Sequence, residues 1–342
     1  MITPGEYVKR YQNKVVLPSD HDLFDIDFSL IANHFKSVKT SDKVGTITSP
    51  FNKHGLFKLK SVDWKINQWM KPGPLNQSAI ESQFELVYMF MSTVYSHVHI
   101  MDYPMATESL HDIIFSANHF SSIRELNWNQ ETVQSLLFIA NMANKERQGE
   151  QPFVIDFVRS IGAAPIQLPA SIKFEGNGDC VHTPFMIIGF TGDRTDPEAY
   201  ASIQQSFADR QLIGKPILVI ESVSGTPFYH GDLKLKPLHR IDNKTKKMIA
   251  LYVPSAFTAE SVVMLDHIFK LIPIDETEAL NLGINTICGY SSRFDVDMAL
   301  VPEGAPQLAE QLMALNYKVF KMPVATQNLG GGPWCMINEL QH

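Results

Sequence analysis

The chain has 342 residues, 44% of them hydrophobic and 19% charged, enough apolar mass for one large or two ordinary domains. Its formal net charge of -7, with no long basic run, argues against nucleic acid or an anionic membrane surface as partner and would not repel a cationic small molecule. Three cysteines, Cys180, Cys288 and Cys335, are too few and too odd a number for a disulfide framework and suit a reducing compartment. The first residues lack the apolar stretch of a signal peptide, and no run reaches the length of a membrane span, so the expectation is a soluble cytoplasmic protein.

Residues 1–55 are polar and mixed, with apolar clusters at Leu23-Phe24 and Phe28 to Ile31 but weak periodicity, and read as an extension packing on a main domain of residues 56–342. Gly55 to Val62 alternates like a strand and runs into Ile66-Asn67-Gln68-Trp69-Met70. Ile80, Phe84, Val87, Tyr88 and Met91 recur at helical spacing, which predicts a helix over 76–95 and a strand over 96–100. Leu110 to His119 reads as a short apolar strand with a polar end, about Gln130 to Lys145 as a helix, and Phe153 to Phe157 and Ile166 to Leu168 as strands.

Phe185 to Phe190 is a buried-strand candidate, and Asp196-Pro197 opens a helix to about Arg210. Ile217 to Ile220 is a further strand. The scheme then repeats as strand 248–253, helix 260–271, strands 284–288 and 298–301, helix 305–315 and strand 317–322. Short strands alternate with helices at even spacing, with no Pro-, Gly- or Ser-rich linker, so a single α/β domain is expected.

Four stretches carry candidate chemistry. Gly330-Gly331-Gly332-Pro333-Trp334-Cys335-Met336 puts a thiol at the end of a loop whose glycines suit unusual bending or close approach, so Cys335 is either a nucleophile or a small buried hydrophobe. Glu175-Gly176-Asn177-Gly178-Asp179 brackets tight-turning residues with two carboxylates, either facing one cavity or forming an ordinary acidic turn. His230-Gly231-Asp232, read as strand, presents an acid/base and an anion on the same side. Asn118 and Asn67 stand where strands give way to loops. His97, His99, His111 and His119 invite a metal reading, but no fixed ligand spacing accompanies them and no metal is expected.

Together these fragments resemble the guanidine-modifying enzyme superfamily, the pentein-fold group of arginine deiminases, dimethylarginine hydrolases and amidinotransferases. Glu175 to Asp179 is similar to its acidic E-G-(x)-G-D motif, Gly189 to Thr195 to its I-G-x-x-x-R-T segment, His230 to Asp232 to its H-x-D motif, and Gly330 to Met336 to its cysteine loop. Ile66 to Met70 looks like the I-N-P-W-M segment, and Asp112 to Asn118 like the D-x-V-F-T-A-N segment, of the branch that includes arginine dihydrolases. Gln68, Gly231 and His119 depart from those patterns.

The resemblance implies a five-bladed αβ-propeller with pseudo-fivefold symmetry. It further implies that Cys335 is the nucleophile, His230 the acid/base and Glu175 its orienting carboxylate. Asp232 and Asp179 would meet the guanidinium, Asn67 and Asn118 would hydrogen-bond it, and Arg194 would meet a substrate carboxylate. The expected activity is hydrolysis of arginine or a related guanidino compound with release of ammonia and no cofactor. Transfer of the amidino group to an amine is the enzymatic alternative, and a non-catalytic binding protein is the other. The expected partner is a small-molecule guanidino substrate, and a homo-oligomer is left open.

Overall fold

The computed structural model describes residues 3–17, 27, 30–31, 44–49, 59, 61–103, 110–126 and 134–340. Its architecture is one supersecondary unit used five times. In each, a first strand pairs antiparallel with a second, a helix follows, and a third strand returns parallel to the second, the crossover that a parallel pair requires. The second unit, for example, runs Phe120–Arg124, Ser135–Ile139, helix Gln151–Ser160 and Pro165–Gln167.

The third unit is Cys180–His182, Ile187–Thr191, helix Pro197–Asp209 and Ile217–Glu221, with Val15–Val16 added on its edge. The fourth is Leu235–Ile241, Met248–Tyr252, helix Ala259–Ile268 and Phe269–Pro273. The fifth is Ile287–Ser291, Val296–Pro302, helix Pro306–Ala314 and Lys318–Met322.

The first unit is assembled from both ends of the chain. Val44–Thr48 is its central strand, helix Gln77–Val94 leads to the parallel strand His97–Met101, and the antiparallel strand is the C-terminal Ile337–Leu340, with Ile337 opposite Ile47. Val44–Thr48 had been assigned to an extension, because a five-residue strand with a glycine and two threonines shows little apolar alternation. It is buried instead against both neighbours and the helix above. The clusters at Leu23-Phe24 and Phe28-Ser29, and most of the strand expected at Gly55 to Val62, lie outside the described residues, although Ser61–Val62 pairs with Gly73–Pro74.

Local chemistry explains where the helices begin. Asn76 and Thr258 accept hydrogen bonds from the backbone N–H groups of Ala79 and Ser261, and proline occupies the first turn at Pro197 and Pro306. Ile80, Phe84, Val87, Met91 and Val94 make the buried stripe of helix Gln77–Val94. Burying each such side chain stabilises the fold by roughly 1.5–3 kcal/mol.

Several expected elements differ. Phe153 to Phe157 belongs to helix Gln151–Ser160, because Val154, Phe157 and Val158 recur at helical spacing behind a proline in the first turn. The helix expected across about Gln130 to Lys145 is, in its described part, strand Ser135–Ile139, a fully apolar run at its centre. The helix expected to reach Leu271 stops at Ile268, and Phe269–Pro273 is strand.

Just before the first strand of every unit the chain makes one turn of 3-10 helix: Ser116–Asn118, Gly176–Gly178, Gly231–Leu233, Gly283–Asn285 and Trp334–Met336. Leu110 to His119 is therefore two such turns instead of a strand, and His230 and Asp232 flank and enter a turn instead of alternating along a strand. Successive turns touch, the last returns to the first, and Asn285 bonds Cys335 between the fourth and fifth. The buried Asn338 ties this layer together. Its amide donates to Ser116 O at 2.9 Å and Phe120 O at 2.8 Å, and its Oδ1 accepts from Asn177 and from the Glu339 N–H.

Asn338→Ala leaves these buried partners unpaired and is expected to lower stability by about 2–4 kcal/mol. A urea titration showing an unchanged midpoint would contradict the assignment of Asn338 as the tie between turns.

Candidate active site

The turn layer gathers most of the chemistry-bearing residues singled out in the sequence. Cys335 is buried in the last turn. Its backbone N–H donates to Asn285 Oδ1 at 3.0 Å, Asn285 Nδ2 donates to its Sγ at 3.1 Å, and Sγ lies 3.7 Å from Asp232 Oδ2. Burial, with the Asp232 charge second, pushes the Cys335 thiol well above its ordinary value, against hydrogen bonds from Gly332 and Asn285 that stabilise the thiolate. The free protein thus holds Cys335 as a thiol.

The glycine run serves close approach. Gly330 has φ +109°, where a side chain is strained, and an added Cβ would strike Asn67. At Gly331 and Gly332 a Cβ would lie 2.6 Å from the Phe115 ring and 2.7 Å from Asn285 Oδ1. Without glycine at 332, Asn285 could not hold the cysteine.

His230 and Glu175 meet at 2.7 Å, Nε2 to Oε2, both buried. Glu175 Oε1 also accepts from the Ala143 N–H at 3.0 Å and faces Arg194 Nη1 at 3.5 Å. Burial alone would raise the Glu175 carboxyl; the His230 hydrogen bond and the charges of Arg194, His230 and Arg147 outweigh it and hold Glu175 at about 2.

Arg194 also donates to Ile66 O at 3.0 Å and stacks over the Tyr229 ring, 4.7 Å from its centroid. Asn67 accepts from the Trp69 and Met70 N–H groups and donates to Tyr229 at 3.1 Å, while the Tyr229 hydroxyl donates to Gly330 O at 2.8 Å. Asn67, Tyr229 and the glycine loop are thereby one unit.

Asp232 and Asp179 part company. Asp179 accepts from the Gly231 N–H at 3.0 Å and from the Thr195 hydroxyl at 2.6 Å, so both its oxygens brace the histidine turn. Asp232 keeps Oδ1 buried and without a hydrogen-bond partner among the described residues, and burial lifts its carboxyl to about 6. Gly231 lies where a Cβ would enter the Phe190 ring, which accounts for glycine between His230 and Asp232.

A cavity opens onto Cys335. Asn67, Asp112, Asn118, Arg147, Arg194 and Tyr229 are among its walls. Five of the residues that build this site, Asp112, Arg147, Glu150, Tyr229 and Asn285, were not singled out for chemistry in the sequence. Asp112 has Oδ1 3.3 Å from His111 Nε2 and is lifted to about 7 by burial, against the pull of Arg147. Arg147 forks onto Glu150 at 2.7 and 2.8 Å and donates to Asn118 Oδ1 at 2.9 Å. Asn285 occupies the same place in its turn as Asn118 does in another, so alignment of the units would have found it. Arg147 and Glu150 carried only the signal of an i,i+3 pair.

His111 and His119 are buried near this cavity, His111 stacked 4.1 Å from Trp64. Among the described residues, no group of three or more His, Cys, Asp and Glu is placed to hold a metal ion, and no helix is long and apolar enough to cross a membrane.

No protein-family model matches the chain. It is 22% identical over 277 residues to the bifunctional arginine dihydrolase/ornithine cyclodeaminase AgrE of Nostoc sp. and 25% identical over 277 residues to the corresponding ArgZ of Synechocystis sp., in each case 79% of this chain and 35% of the relative. The chain thus spans about a third of the length of these two relatives. An uncharacterised protein of Caenorhabditis elegans, ZK1307.1, is 24% identical over 285 residues, 82% of this chain and 90% of that protein. Among solved structures, the N-terminal domain of ArgZ bound to its substrate superposes with a TM-score of 0.71 at 20% identity, covering 88% of this chain and 99% of that one. A dimethylarginine dimethylaminohydrolase adduct superposes with a TM-score of 0.62 at 16% identity, covering 87% and 100%. The chain is thus similar in sequence to AgrE and ArgZ and has the α/β pentein fold of the N-terminal domain of ArgZ and of dimethylarginine dimethylaminohydrolase.

Proposed function

We propose that the chain is a cysteine-dependent hydrolase of a guanidino group, acting on arginine or a close relative and releasing ammonia. The observation that carries this reading is the buried convergence of Cys335, Asp232, His230 and Glu175 on one layer of turns, beside a cavity that opens onto the cysteine. The five like-wired units support a closed five-bladed propeller with pseudo-fivefold symmetry around that site. Val44–Thr48 then belongs to the catalytic domain together with residues 56–342.

In this reading a planar cation enters the pocket walled by Asp112, reaches Asp232 beside Cys335, and meets donors and acceptors on Asn118 and Asn67. Arg194 stands at the wall where a substrate carboxylate would pair with it. Its positive neighbour lowers the cost of ionising Cys335, so the thiolate forms as substrate binds. Sγ adds to the central guanidinium carbon, the C–N bond breaks, and His230 delivers the proton with which ammonia leaves. Water then adds to the same carbon and the C–S bond breaks, its proton taken by His230. Glu175 keeps the imidazole oriented through its 2.7 Å bond, and Asp179 acts through the turn as a positioning residue. A cytoplasmic location suits the thiol, and a homo-oligomer remains compatible with this site.

Incubation with arginine, methylated arginines, agmatine and citrulline, following ammonia and the carbon product by mass spectrometry, tests the reaction. The unaltered protein is expected to release ammonia, and Cys335→Ser to lose about 10³-fold or more of the activity. Ornithine with two ammonias identifies a dihydrolase and citrulline with one a deiminase. Turnover only with an added amine acceptor would replace hydrolysis by amidino transfer.

The pH dependence has a definite sign. Asp232 and Asp112 attract a cation only when ionised, and they ionise as pH rises through about 6 and about 7. kcat/KM, which reports the free enzyme, is therefore expected to rise across this interval, and Asp112→Asn to remove its upper part. Asn285→Leu is expected to reduce kcat by about 10–10³-fold and, by leaving the buried Cys335 N–H unpaired, to lower stability by about 1–3 kcal/mol. A pH profile flat between 6 and 7 would contradict these carboxylates as the cation's partners.

A further inference from the structure

A second, larger cavity shares no lining residue with the first. Segments that lead into the turns wall the smaller cavity, whereas strands that leave them, at Val181, Leu235 and Cys288, wall the larger. Successive residues of one turn divide between the two, with Trp334 on the larger cavity and Cys335 on the smaller. The turn layer is a partition. Asp232 spans it, lining the larger cavity while its Oδ2 lies 3.7 Å from Cys335 Sγ. Its buried, unpartnered Oδ1 is a place for water to dwell.

The chemistry proposed above creates a traffic problem that this second cavity solves. Once Sγ has displaced ammonia, the covalent amidino adduct and its tail occupy the smaller cavity, walled by Asn67, Arg147, Arg194 and Tyr229. Ammonia must nevertheless leave, and one water must arrive. That water's oxygen bonds to the carbon, the C–S bond breaks, and the products are the ureido compound, the Cys335 thiol and one proton.

We propose that water enters and ammonia leaves through the larger cavity, past Asp232, while the substrate's tail enters and leaves by the smaller one. This inference rests on the hydrolase reading. It assigns the far cavity the transport of small polar molecules.

Filling the far cavity tests it. Cys288→Phe and Val181→Phe put bulk on two of its walls, away from the residues that build the active site. With arginine as substrate, kcat is expected to fall about tenfold or more in both variants, because exchange of small molecules becomes limiting. The rate at which chloroacetamidine alkylates Cys335, which needs only the smaller cavity and an intact nucleophile, is expected to stay unchanged.

Unchanged kcat in variants whose crystal structures show the cavity filled would overturn the proposal. An equal fall in turnover and alkylation in both variants would overturn it too, since the substitutions would then act on the shape of the site. Absence of ammonia release by the unaltered protein would instead overturn the hydrolase reading, and this proposal with it.

Discussion

The structure depends on the burial of one carboxylate. Glu175 is wholly shielded from solvent, and ionised carboxylate in such a place is tolerated only when cations and N–H groups surround it. His230, Arg194 and the Ala143 N–H supply these, and each comes from a different part of the chain. Removing one partner would leave a buried charge uncompensated, at a cost of about 3–5 kcal/mol. The pairing therefore fixes His230 in the second of two contacting turns, fixes Arg194 against Tyr229, and through Tyr229 fixes the glycine loop that carries the cysteine. Charge burial and placement of Cys335 are one constraint.

That constraint needs a scaffold that delivers turns from distant parts of the sequence to one layer. Five repetitions of strand pair, helix and parallel strand do this, each beginning with a turn. The C-terminal strand completes the first unit by pairing with Val44–Thr48, so Cys335, only two residues before that strand, is anchored by the sheet. Glycine is used where backbone and side chain compete for space, and Gly332 and Gly231 each make room for a neighbour of the reactive groups.

Much of this was legible in the sequence, for identifiable reasons. Helix Gln77–Val94 was visible because its apolar residues keep the 3.6-residue period, and Cys335, His230 and Glu175 because their motifs are local. The turns at Ser116–Asn118 and Gly231–Leu233 resemble strands in the sequence because a single 3-10 turn imposes no periodicity, and apolar residues around Ile113 resemble a strand interior. Helix Gln151–Ser160 was missed because its exposed face shares a short stretch with an apolar run. The bracing role of Asp179 was beyond any motif, since only the fold reveals that its oxygens are taken by Gly231 and Thr195. Asn285 is legible only by aligning its turn with that of Asn118, its partner lying 50 residues away.

The central claim is that Cys335 forms a covalent bond to a guanidinium carbon under the hand of His230 and Glu175. It is tested most directly by mixing the protein with arginine labelled with heavy carbon at the guanidino position, quenching in acid within the first turnover, and mapping the label on proteolytic peptides. The account predicts label on the peptide containing Cys335, absent in Cys335→Ser and longer-lived in a His230→Gln variant. Label that reaches product in the unaltered protein while Cys335→Ser turns over equally fast would contradict it.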